Sequence, residues 1–225
     1  MEVLNWKELL YPYQQTVEEL LIKFQSIQKE CKNLGVYCPI ESVSGRVKKA
    51  SSIMEIARKK IPYEKMEQEI EDIAGIRILC QFVEDIYKVI DMIKMRNGRD
   101  MEIIQEKDYV KYKKPSGYQS YHIIIKYPLN TAFGYKEVLA EIQIRTLAMN
   151  FWATAEHSLR YKYSGNIPDS IQKRLTNCAD AAFHLDREMS TIRGEITNAQ
   201  QLNEIKQNLV NNILENIQNL YFVAK

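Results

Sequence analysis

In the stretch EDIAGIRILCQF (71–82), Asp72 opens an apolar run and Arg77 sits inside it. A carboxylate and a guanidinium among Ile, Leu, Cys and Phe must be compensated, because stranding either one in a core costs about 3–5 kcal/mol. Two compensations are open: the side chains pair with each other, or a ligand pairs with them. A second candidate lies in VLAEIQIRT (138–146), where Ala140, Ile142 and Ile144 alternate with Glu141, Gln143 and Arg145. Alternation along a strand sends the two sets to opposite faces. The polar set therefore meets either solvent or a ligand. Asp72 at the mouth of one strand and Glu141 in the middle of another could together hold a hard cation. Mg²⁺ takes one or two carboxylates and completes its shell with water and phosphate oxygens.

The basic residues suggest which anion such a cation would carry. GRVKKASS and ARKK place Arg46, Lys48, Lys49, Arg58, Lys59 and Lys60 ahead of Asp72. EKDYVKYKKPSGYQSYH (106–122) adds Lys107, Lys111, Lys113 and Lys114, interleaved with Tyr109, Tyr112, Tyr118 and Tyr121. Two basic clusters flanking a carboxylate pair fit two phosphate-bearing ligands, and Arg and Tyr offer flat faces on which bases stack. The bland alternative is a pair of solvated lysine runs. The net charge is only +2, so any phosphate binding must be local rather than a global field.

Other chemistries are excluded by what the sequence lacks. It holds neither a G-x-x-x-x-G-K-[ST] nor a G-x-G-x-x-G loop, so nucleotides would be held by side chains and a metal. Its four cysteines (31, 38, 80, 178) show no C-x-x-C spacing and its histidines number three (122, 157, 184), which argues against zinc and for reduced thiols. His157 and His184 fall in helical patterns and read as structural. No run of about 18 apolar residues and no signal-peptide pattern occurs, which predicts a cytoplasmic protein without membrane contact.

The elements that must position these residues follow from periodicity. Leu9, Leu10, Tyr13, Val17, Leu20, Leu21, Phe24 and Ile27 predict a helix over 7–29. Residues 33–45 read as a breaker-rich link, and 51–60 as a basic helix ended by Pro62. Strands are predicted at 76–82, 101–105, 121–127 and 138–144, with a helix at 84–95. After residue 146 the chain reads as helix, broken at Gly165 and Pro168. This order predicts an α+β fold with a mixed or antiparallel sheet flanked by helices. Ile171, Leu175, Cys178, Ala182, Leu185, Met189 and Ile192 form an a/d seam. Such a seam packs either on its own domain or between subunits. A second amphipathic helix is predicted from Leu202 to Leu220, with one domain over 1–200 and a helical tail over 201–225.

GRVK, DIAGIR, SGYQSYH and EIQIRT occur in the order and spacing that resemble the synthetase domain of the RelA/SpoT homologue family. The similarity over about 6–200, including LAMNFWATAEHSLRYKYSGNIP, resembles the small alarmone synthetases of the RelQ type. The resemblance implies a nucleotidyltransferase-like fold. It implies transfer of pyrophosphate from ATP to the 3′-hydroxyl of GDP or GTP, giving AMP and ppGpp or pppGpp in the stringent response. Carried over by motif, Asp72 and Glu141 resemble the Mg²⁺ ligands, with Glu141 also the base for the 3′-hydroxyl and His122 beside the reacting groups. Arg46 and Arg77 resemble the adenine sandwich; Lys48, Ser52, Arg58 and Lys59 resemble the ATP-phosphate side. Tyr118 resembles the guanine-stacking residue, with Lys107, Lys114, His122 and Gln143 around the acceptor.

No His-Asp dipeptide of the family's hydrolase is present, which predicts synthesis without degradation. RelQ-type relatives further imply a homotetramer with an alarmone activator in its cleft, here near Lys23, Glu41, Ser44 and Asn150. Gln25 and Ser42 bring neither charge nor ring to that cleft. Two other functions use the same residues differently: pyrophosphorylation of tRNA 3′ ends, and single-stranded RNA binding by the Lys/Tyr loop at 107–121. The first conflicts with SGYQSYH and the small net charge; the second would need neither Asp72 nor Glu141.

Overall fold

The computed structural model describes residues 6–60, 65–163 and 167–223; the side chains of 57–60, 161–162 and 215–223 lie outside the description, as do Pro62 and Gly165. The elements run α1 (Trp6–Leu34), β1 (Ser42–Val47), α2 (Ala50–Lys60), α3 (Met66–Glu69), β2 (Ala74–Cys80), α4 (Val83–Lys94), β3 (Glu102–Asp108), β4 (Tyr121–Thr131), β5 (Gly134–Thr146), α5 (Leu147–Lys162) and α6 (Asp169–Val223). The strands form one sheet in the order β1-β2-β5-β4-β3. Only β2 and β5 run parallel; the other three pairings are antiparallel. The α+β class and the mixed sheet are as predicted.

Apolar periodicity explains the core. In α1 the predicted stripe delivers Tyr13, Val17, Leu20 and Phe24 to the interior. Ile76 and Ile78 of β2 pair with Ile142 and Ile144 of β5, and all four are buried. The β4–β5 hairpin runs past the predicted strand ends to a two-residue turn at 132–133, between the paired Thr131 and Gly134. Its outer half is polar and carries Pro128, which hid it from an apolar search.

Two expectations need correction. The link at 33–45 does not extend through Gly45: it gives way to a fifth strand, β1, at the sheet edge. Its side chains are mostly exposed, so no apolar alternation announces it; among the described residues its strand pairing is with β2 alone. Gly45 lets α1 lie close to this strand, since a Cβ there would meet Val17 Cγ1 at 2.5 Å.

The second correction concerns α6. Leu202 onward belongs to the same helix as the seam, not to a separate one. The seam is also not the buried stripe: Ala179 and Asp186 are buried, while Ile171, Cys178, Leu185, Met189 and Ile192 are exposed. The chain forms two compact units, Met1–Asp186 and Arg187–Lys225. Every site residue described below lies in the first. All four cysteines are free, and no helix among the described residues is long and apolar enough to cross a membrane.

Candidate active site

Strand register assembles the site. Ser44, Arg77, Gln143, His122 and Lys107 stand in one row across all five strands. The neighbouring row is Arg46, Gly75, Glu141, Ile124 and Gln105. Because strand neighbours alternate faces, the core isoleucines between these positions point the other way. A cavity of about 240 Å³ opens on the polar face, lined by Ser44, Arg46, Asp72, Arg77, Glu141 and Gln143 among others. Gly75 contributes no side chain between Arg46 and Glu141, which leaves that space open. A second recess of about 220 Å³ shares Asp72 and Glu141 and adds Glu69, Glu71 and Ile56.

Asp72 does not pair with Arg77. Its carboxylate accepts from Lys48 Nζ at 2.5 Å, and Lys107 Nζ donates to the adjacent Glu71 at 3.0 Å. Lysines from the two basic clusters thus meet two consecutive carboxylates. Arg77 keeps a buried Nε with no partner. Burial first, then the cations Arg145 and Arg46, push its pKa down. A guanidinium held this way favours a ligand that supplies negative charge or a π face.

Glu141 is held at both carboxylate oxygens. Its Oε1 faces His122 Nδ1 at 2.7 Å, and its Oε2 accepts from Gln143 Nε2 at 2.7 Å. Burial pushes its pKa up, but His122, Gln143 and Arg145 outweigh that and hold it below the usual carboxylate range. Tyr118 OH lies 2.8 Å from His122 Nε2 and accepts from Arg145 Nη2 at 2.6 Å. Burial raises the Tyr118 pKa, so the phenol keeps its proton at neutral pH. Lys114 Nζ sits 4.4 Å from the Tyr109 ring centroid and 5.2 Å from that of Tyr118.

The structure therefore brings together Arg46, Lys48, Asp72, Arg77, Glu141 and Gln143, and joins them through His122 to Tyr118, Lys114 and Lys107. Ser52 lies in the first turn of α2, its N–H bonded to Lys49 O at 2.9 Å. The Arg58 and Lys59 side chains are outside the described residues. The four cleft candidates make separate contacts. Lys23 pairs with Asp100 at 2.9 Å, Glu41 accepts from Gln81 at 2.7 Å, Ser44 lines the cavity, and Asn150 lies on α5 with a buried, unpartnered Oδ1. His157 and His184 are exposed on α5 and α6, away from these contacts. Sequence reasoning missed Glu71 and Arg145. The signal for Arg145 was its place as the third polar residue of the alternating strand.

The cavity on this sheet face is lined by two guanidiniums, Arg46 and Arg77, and two carboxylates, Asp72 and Glu141, with Lys48 paired to Asp72 beside it. The sequence profile described as a region found in RelA/SpoT proteins matches residues 45–166. The chain is 51% identical over 201 residues to the GTP pyrophosphokinase YjbM of Bacillus subtilis (strain 168), covering 89% of this chain and 94% of that one. A crystal structure of the small alarmone synthetase 1 from Bacillus subtilis bound to its product pppGpp superposes with a TM-score of 0.80 at 52% identity, covering 85% and 97% of the two chains. The same enzyme bound to AMPCPP gives 0.74 at 48% identity, covering 86% and 98%. This chain belongs to the RelA/SpoT family and has the fold of its small alarmone synthetases.

Proposed function

We propose that this protein is a GTP pyrophosphokinase that transfers pyrophosphate from ATP to the 3′-hydroxyl of GDP or GTP. The 3′-oxygen bonds to the β-phosphorus of ATP, the bond from that phosphorus to the α–β bridging oxygen breaks, and AMP departs. The observation that carries this reading is the polar row from Arg77 through Gln143 and His122 to Lys107, whose two middle members both bond to Glu141 of the neighbouring row between two cationic subsites. The naming of the relatives and their pppGpp and AMPCPP complexes support it.

On the donor side Arg46 and Arg77 take the adenine between them, and Lys48 turns from Asp72 to the phosphates. On the acceptor side Tyr118 stacks on guanine while Lys107 and Lys114 hold its phosphates. Glu141, fixed by His122 and Gln143, takes the 3′-hydroxyl proton. Asp72 and Glu141 fit a hard cation: both line the same two cavities, and Glu141 is ionised. Among the described residues no group of three or more metal-ligating side chains gathers, so water and nucleotide phosphates would complete the shell. Held by Asp72 and Glu141, Mg²⁺ would supply charge neutralisation to the phosphates during in-line displacement. The enzyme works in the cytoplasm, synthesises without hydrolysing and assembles as a homotetramer through exposed helical faces.

Incubation with γ-labelled ATP, Mg²⁺ and either GTP or tRNA tests this reading. Label should enter a guanosine polyphosphate with equimolar AMP. Label in tRNA, or none, refutes it. Asp72→Asn and Glu141→Gln should each lower turnover by about 10²-fold or more with an unchanged thermal melt. Near-wild-type turnover with unchanged Mg²⁺ dependence would remove the two-carboxylate site.

A further inference from the structure

Arg145 is a buried cation, 4% exposed, with no carboxylate within salt-bridge distance among the described residues. Its Nε donates to Ser120 Oγ at 3.1 Å. Its Nη2 donates to two acceptors, Tyr118 OH at 2.6 Å and Gln143 Oε1 at 2.7 Å. Each of those residues is bonded onward toward Glu141: Tyr118 through His122, Gln143 directly. The hydrogen bonds thus close a ring with Arg145 at one pole and Glu141 at the other.

With His122 neutral, the direction of every bond in this ring is determined by its poles. Arg can only donate, and an ionised carboxylate can only accept. Since the Tyr118 oxygen accepts from Arg145, its single hydrogen is directed to His122 Nε2. A neutral imidazole at this position carries its proton on Nδ1, which donates to Glu141 Oε1. On the other arm, Gln143 presents its carbonyl oxygen to Arg145 and its amide N–H to Glu141 Oε2. With a neutral imidazole, reversing any bond would set two donors or two acceptors face to face.

We propose that Arg145 is a positioning residue that orients both arms. It selects the His122 tautomer and the Gln143 amide orientation, and it holds the Tyr118 phenol in register with Glu141. It touches neither substrate in the mechanism proposed above; its catalytic meaning rests on that mechanism, because the ring joins the acceptor-stacking ring to the base. Its charge reaches Glu141 through two polarised arms, an arrangement in which hydrogen bonds strengthen one another in a low-dielectric site. Simple packing of Arg145 as a buried core group would make neither the tautomer nor the amide orientation depend on it.

Nitrogen-15 NMR of the imidazoles tests the proposal in the protein alone, so its result does not depend on whether alarmone is made. With three histidines in the chain, the His122 signals are assigned by their loss in His122→Gln. The wild type at pH 8 should show the Nδ1–H tautomer. Arg145→Met should give a tautomer mixture, raise the acceptor KM, lower kcat to a combined loss of about 10²-fold, and leave the ATP KM unchanged. An Nε2–H tautomer in the wild type overturns the proposal, as does an Arg145→Met protein with wild-type tautomer and acceptor KM. If Arg145→Met does not fold, Tyr118→Phe breaks the same arm at its midpoint. It must release the His122 tautomer, and a retained tautomer overturns the ring.

Discussion

Gly117 sets the position of the loop that carries Tyr118, and replacing it with alanine meets two separable obstacles. Its φ is +89°, a conformation that L side chains rarely adopt, and a Cβ there would lie 2.4 Å from Ala179 Cβ on α6. The backbone obstacle costs about 1–2 kcal/mol. The contact is more than 1 Å shorter than the ~3.5–4.0 Å at which carbons pack, and relieving such overpacking typically costs about 1–3 kcal/mol. Gly117→Ala should therefore lose about 2–5 kcal/mol, a sizeable share of the ~5–15 kcal/mol that holds a domain folded. Ala179→Gly removes the clash but not the φ strain, and by itself costs about 1 kcal/mol of helix propensity. In a double-mutant cycle by urea denaturation, the coupling energy isolates the clash at about 1–3 kcal/mol. Gly117→Ala should also raise the acceptor KM more than the ATP KM, because Tyr118 is the next residue. Coupling below about 0.5 kcal/mol with an unchanged acceptor KM would refute the docking of this loop on α6.

Tyr118→Ala should weaken guanine-nucleotide binding by about 1–3 kcal/mol, and ATP binding far less; equal losses in calorimetry would assign Tyr118 to loop support alone. Leu185 and Met189 are 57% and 43% exposed, so replacing both with Lys should leave a folded protomer of lower mass by light scattering with circular dichroism. A folded assembly of unchanged mass would remove the seam from the subunit contact. Burial pushes the Asp186 carboxyl up to about 6, against the hydrogen bond from Thr146 and with help from the charge of Glu84. Folding thus favours its protonated form: the contribution is full below about 3.8 and is lost as pH rises through about 6. Between pH 4 and 7 the wild type should lose about 2 kcal/mol relative to Asp186→Asn in urea melts, and parallel pH curves would count against this shift.

The sequence by itself determined the helices and the strands that put one face on the core. Leu20 and Phe24 in α1, and Ile76, Ile78, Ile142 and Ile144 in β2 and β5, recur at periods that need no partner to be read. The same alternation marked Glu141 and Gln143, and the quoted family motifs located Arg46, Asp72, Arg77 and Tyr118. β1 was illegible because an edge strand with exposed side chains is defined by the bonds it receives from β2, and those depend on another part of the chain. The same holds for the partner of Asp72. Arg77, five positions away, was the local candidate, yet Lys48, 24 positions away, takes the pair. Arg145 looked like one more polar residue on a strand until the fold placed Ser120, Tyr118 and Gln143 around it. In α6 the regular a/d spacing marked a real apolar stripe, but the packing of the first unit buried the neighbouring one that contains Ala179 and Asp186. Periodicity is a local property, written in side-chain type and fixed by backbone geometry. Strand register and the choice of a charged partner are long-range properties, set only when segments far apart in sequence meet.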